Sequence, residues 1–222
     1  MRLSFLVVLV VAFLAAGSSA PSMAQNLTEY RVQLEKVELC FNAGCGETFL
    51  VAQGGQQFDI AGGAAQNSPV GNFGGVVRPA VGDTFTHLAV TVSRTIQATG
   101  TTSNNAGCRT QAGVNGAIGA GAAGGAGAAG SASLVIPSAA VIGVDLESNP
   151  GNLAFAQSLS WVGGNQNTAT SARLVYALPS PYTCTGAPPE IDVTFNTNAA
   201  LLDATGGCVI IPRDPDIQVT IR

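Results

Sequence analysis

His87 is the only histidine in the chain, and so the one side chain suited to act as an imidazole base near neutral pH. No Gly-x-Ser-x-Gly elbow or cysteine–histidine signature accompanies it. A packing or surface role is therefore expected, and no catalytic residue is assigned. Three carboxylate pairs stand close in sequence: Glu35/Glu38, Glu190/Asp192 and Asp214/Asp216. Glycosidic cleavage needs two carboxyls roughly 5–10 Å apart across a cleft, which spacing along a chain does not provide. On one strand face, Glu190 and Asp192 read as solvated edge charges that discourage aggregation. The stretch from Asp145 to Gly151 alternates oxygen ligands as a calcium loop does. Pro150 and Ala156 stand where that loop requires glycine and glutamate, so no calcium site is expected. Trp161 could stack on a sugar, although a lone tryptophan in a β protein more often packs in the core. No cofactor is expected.

The five cysteines are Cys40, Cys45, Cys108, Cys184 and Cys208. Zinc would call for a Cys-x2-Cys pair or clustered histidines, and neither is present, so no metal site is assigned. Disulfides are the expected chemistry in an oxidising destination. Cys40 and Cys45 can close a short hairpin loop in which Asn42 and Gly44 supply the turn conformations. One further pair is expected among Cys108, Cys184 and Cys208, leaving one thiol whose identity the sequence does not give.

That destination is suggested at the N-terminus. Met1-Arg2, an apolar run from Leu3 to Ala16 and a Ser22-Met23-Ala24 cleavage pattern read as a secretory signal peptide of bacterial type. The apolar run is too short for a spanning helix, so the chain is not expected to stay in the membrane after cleavage. The expected organisation is a signal peptide at 1–24 and one secreted domain at 25–222. The net charge is −4 and Lys36 is the only lysine, a poor electrostatic footprint for binding nucleic acid. Charged residues make up 10% of the chain, against about a quarter in an average soluble domain. Solubility must rest on Ser, Thr, Asn and Gln, as suits an exported surface protein.

The elements available to position these residues read as strands. Asp83–Thr99 is the longest uninterrupted strand-like run. Leu88, Val90, Val92, Ile96 and Ala98 share one parity, Arg94 breaks that row, and Phe85 falls on the opposite, mostly polar parity. Before it, Tyr30, Val32 and Leu34 alternate with polar residues, and Val37, Leu39 and Phe41 continue the pattern out of phase. A β-bulge at Glu35-Lys36 would return the apolar side chains to one face. Thr48–Val51 and Phe58–Ala61 read as two short strands split by Gly54-Gly55, and residues 62–82 as a Gly- and Pro-rich loop. Gly113–Gly130, almost all glycine and alanine, reads as a flexible loop, with a silk-like packed segment as the alternative. Further strands are expected at Leu134–Ile136, Val141–Leu146, Ala172–Leu178, Ile191–Phe195, Cys208–Ile211 and Ile217–Ile221. About ten short strands with turn signals between them predict an all-β fold, a single antiparallel β-sandwich of immunoglobulin-like or jelly-roll-like form.

Two functions of different class fit these features. The first is a secreted structural or adhesive cell-surface protein, a pilus-like fibre subunit assembling by strand addition. Tyr30, Val32 and Leu34, or Ile217, Val219 and Ile221, would be the inserted side chains. Its partners would be copies of itself or other surface proteins in the periplasm or outside the cell. The alternative is an envelope module binding a glycan or small ligand through loops 62–82 and 101–130. An enzyme ranks third.

Overall fold

The computed structural model describes residues 27–61, 78–118, 120–136, 158–187, 189–198, 200–213 and 216–221. The signal peptide expected at 1–24, most of the loop expected at 62–82, the strand expected at Val141–Leu146 and the Asp145–Gly151 stretch lie outside them. Every regular element among the described residues is a strand. In chain order these are β1 (Leu27–Cys40), β2 (Thr48–Asp59), β3 (Thr84–Ser93), β4 (Thr95–Gly100), β5 (Ala122–Ala123) and β6 (Ala132–Val135). There follow β7 (Ser158–Val162), β8 (Ser171–Thr183), β9 (Ile191–Asn196), β10 (Leu201–Asp203), β11 (Val209–Pro212) and β12 (Asp216–Ile221).

β1 is the spine of a seven-stranded antiparallel sheet. One side of it pairs with β2, and the other with β3 and β4, which run end to end along it. Beyond them lie β8 against β3, β6 against β4, and β7 outside β8. The phase shift at Glu35-Lys36 is a register shift between Leu34 and Lys36 against both β2 and β3. Tyr30 and Val32 therefore join the same side of the sheet as Val37 and Leu39. A second register shift, between Phe85 and His87 against β8, brings Phe85 into the core and corrects the parity expected for it. There it packs against Phe41, Phe49 and Tyr182.

A second layer covers this apolar side in two pieces. The sheet β10-β11-β5 lies over the end carrying β4, where Tyr30, Ile96, Leu134, Leu201 and Ile210 form one cluster. The ribbon β9-β12 lies over the end carrying β3, where Val193 and Val219 meet Leu39, Phe85 and Leu88. Burying a large aliphatic or aromatic side chain contributes roughly 1.5–3 kcal/mol, so these two clusters are the main source of stability.

Three local expectations are corrected. The run Asp83–Thr99 is two strands, because Arg94 sits at the seam where β6 and β8 part. Its N–H bonds to the Thr170 carbonyl and its carbonyl accepts from Ile136. The guanidinium, 2% exposed, donates from Nε to the Ile136 carbonyl at 2.8 Å and lies 4.1 Å from the Trp161 ring centroid. Gly54-Gly55 does not split β2, which runs unbroken through both glycines. The Gly/Ala tract is packed. Gly124 donates to the Cys208 carbonyl at 2.8 Å, Arg109 and Gly125 exchange backbone bonds, and β5 pairs with β11. A Cβ on Gly124 would stand 2.5 Å from the Cys208 sulfur, a contact open only to glycine. Close backbone approach compensates here for the scarcity of large side chains.

Candidate functional site

The β1 bulge has a second consequence. By keeping Val37 and Leu39 inside, it turns two consecutive charged side chains, Glu35 and Lys36, towards the outer face of the sheet. Both line a cleft of about 420 Å³, together with Glu38, Gln53, Thr91 and Arg173. Ladder register assembles it: Lys36 stands opposite Thr91, and Thr91 opposite Arg173. Glu38, 5% exposed, forms the floor. Its Oε1 accepts from Thr48 Oγ1 at 2.9 Å and lies 2.8 Å from Lys36 Nζ, while its Oε2 accepts from Arg173 Nε at 3.1 Å. Burial alone would raise the pKa of Glu38. The hydrogen bonds from Lys36 and Thr48 and the charges of Arg173 and Lys36 outweigh it and hold the carboxyl below the ordinary range. The structure thus brings Glu35 and Glu38 to one cleft, but Glu38 is an ion-paired carboxylate rather than a proton donor. No aromatic ring is among the cleft's lining residues.

In the second layer a further buried carboxylate, Asp203 at the end of β10, is tied in a different way. It is 3% exposed and accepts from Asn105 Nδ2 at 2.8 Å. Backbone N–H groups of Thr205, Gly206, Cys208 and Val209 also donate to it. Burial pushes the pKa up, but these donors, led by Asn105, hold it below the ordinary carboxylate value. Sequence reading missed Asp203: four of its donors lie within six residues, but no turn signature marks that loop as folding back on the carboxylate, and Asn105 stands 98 positions away.

Cys40 and Cys45 are bonded across the turn that forms one wall of the cleft. Cys108 and Cys208 are bonded across a separation of 100 residues beside Asp203. Cys184 is left as a buried thiol. Two disulfides indicate an oxidising, extracytoplasmic compartment.

The strand-exchange candidates fall in unlike places. Tyr30, Val32 and Leu34 lie on β1, hydrogen-bonded on both sides within its own chain. Tyr30 is also buried, with its hydroxyl donating to the Arg213 carbonyl at 2.9 Å. A strand in that position cannot leave without dismantling the sheet. Ile217, Val219 and Ile221 lie on β12, which pairs only with β9 among the described residues. β2 likewise pairs only with β1, and from Thr48 to Gln57 it carries no charge.

His87 is half-buried beside the Thr86 hydroxyl. Trp161 lies against Arg94, where part of its ring covers a buried cation. Among the described residues no three His, Cys, Asp or Glu side chains converge as metal ligands, and no helix is long and apolar enough to cross a membrane. Comparison with protein-family models, with curated proteins and with solved structures finds no match for this chain.

Proposed function

We propose that this is an exported structural or adhesive surface protein, an immunoglobulin-like or jelly-roll-like sandwich whose subunits associate by strand addition. The observation that carries the reading is the outer edge of β2. It is a twelve-residue strand paired on one side only among the described residues, with no charge before Asp59. Edges of this kind are normally blunted by lysine, proline, short length or bulges. β2 has none of the first three, and its ladder to β1 is irregular at two places, leaving residues 56–59 as its regular exposed stretch beside the 48–50 end. The incoming strand gains backbone hydrogen bonds along the edge, and alternate side chains set the register. β12 is the more readily exchanged of the two strands expected from sequence, because it has one ladder to break where β1 has pairing on both sides, although its departure also uncovers the cluster around Val219. The reading assigns no catalysis, and hydrolase turnover that disappears in His87→Ala would overturn it.

Sedimentation of the oxidised chain from residue 25 over a wide concentration range tests the proposal. Concentration-dependent assembly is expected, and Gln56→Lys, which places a charge on the exposed edge, should return the protein to monomer. A chain that stays monomeric up to its solubility limit, or assembly unchanged in Gln56→Lys, sinks the β2 reading.

A further inference from the structure

We infer that the cleft beside Glu38 is a binding site for a neutral saccharide unit, and that a single subunit binds it whether or not subunits assemble. The argument begins with charge. Four ionised side chains converge there in a chain with only nine basic and thirteen acidic residues. Ion pairs that are partly removed from water add little net stability, so folding alone gives weak reason to gather them on one face. Their charges cancel, with Glu35 and Glu38 against Lys36 and Arg173. An anionic ligand would have to compete with Glu38 for both cations, since Lys36 Nζ and Arg173 Nε already face that carboxylate. A metal cation would meet Lys36 and Arg173 head on. Val162 is the one large apolar side chain in the lining, too little for an apolar ligand or for the side chains of a peptide.

What the cleft offers is alternation of donors and acceptors on a fixed frame. Lys36 and Arg173 each keep further N–H donors after bonding Glu38. Glu35 adds acceptor oxygens, and Gln53 and Thr91 can do both. Neighbouring hydroxyls on a sugar ring present donor and acceptor side by side, which is the pattern these groups satisfy. The volume, about 420 Å³, falls within the range for small-ligand pockets and accommodates a sugar unit. With no aromatic platform the single-site affinity is weak, and useful adhesion would depend on several copies acting together.

The test is an amide-shift titration of the oxidised, isotope-labelled protein with maltose, cellobiose, mannobiose and chitobiose. Galacturonate and a capped polar tripeptide serve as the other arms. At least one neutral disaccharide should shift amides clustered at Lys36, Gln53, Thr91 and Arg173. The double change Glu35→Gln with Gln53→Ala should weaken that binding at least tenfold while leaving the circular-dichroism spectrum unchanged. If the double variant does not fold, Lys36→Gln replaces it with the same expectation. Absence of a response to every neutral sugar, a response only to galacturonate or the peptide, shifts lying elsewhere, or undiminished binding in the variant would each overturn the assignment.

Discussion

Two ends of the molecule, one on β1 of the large sheet and one on β10 of the three-stranded sheet, each bury a carboxylate beside a disulfide, and they handle the charge in opposite ways. Around Asp203 the donors are four backbone N–H groups of its own loop and the Asn105 amide, which reaches it from the segment after β4. Around Glu38 they are a threonine hydroxyl and two cationic side chains, one of which, Lys36, remains 37% exposed. The first arrangement leaves the oxygens little capacity for a new partner. The second holds its charge on side chains that face a cleft and can turn towards a ligand. In both, one disulfide cysteine adopts a left-handed backbone, Cys208 at φ 66° and Cys45 at φ 47°. That conformation costs a residue with a side chain roughly 1–2 kcal/mol. The contrast suggests one end built to lock the fold and the other to keep a chemically adaptable surface.

The disulfides should show the largest difference. Cys108–Cys208 closes a loop of 100 residues and Cys40–Cys45 one of five. Loop-closure entropy then gives about 5 kcal/mol for the first and about 2 kcal/mol for the second. Denaturant unfolding of the paired serine variants should reproduce that order. Equal losses would mean that the two ends are not distinguished by how they constrain the unfolded chain.

Asp203→Ala comes next. It removes the acceptor of several part-buried backbone donors, and a loss of about 2 kcal/mol is expected from hydrogen bonds to a buried charge, since the exposed loop lets water reach some of them. Because the folded-state pKa is depressed, the contribution is complete above the unfolded value of about 4 and disappears as pH falls through the folded value. Stability of the native chain should therefore fall with acid below about pH 4, and Asp203→Asn should flatten that part of the profile. An unchanged acid limb would show that the carboxylate is not held as described.

How much of this the sequence made legible depends on how local each cause is. The bulge at Glu35 could be read because Leu34 and Val37 fall out of phase within a few residues. The Cys40–Cys45 turn is equally local. The partner of Cys108 could not be read, since Cys184 and Cys208 are equivalent until β5 and β11 pair. Arg94 interrupted an apolar row, but its role needs β6 and β8 to separate at that point. The Gly/Ala tract hid its packing because close approach depends on what stands opposite, as the Cys208 sulfur does opposite Gly124. The cleft was invisible for the same reason. Its residues come from β1, β2, β3, β7, β8 and the disulfide turn, and only the ladder register brings them together.

Glu38→Gln gives the smallest effect and the sharpest division between the two ends. Glutamine keeps the shape and can still accept from Thr48, but it no longer neutralises Lys36 and Arg173. Those cations are 37% and 21% exposed, so water at the cleft mouth takes over much of the lost interaction. A loss of about 1 kcal/mol is expected in thermal or denaturant unfolding, below that of Asp203→Ala. The sign with pH is the same: Glu38 is also depressed, so its contribution is present above about pH 4.3 and fades on acidification through its folded value. The flattening of the acid limb should accordingly be shallower than in Asp203→Asn. A loss as large as that of Asp203→Ala would mean that the cations at Glu38 are held as rigidly as the loop around Asp203. The cleft would then be a second structural lock, with no side chains to spare for a ligand.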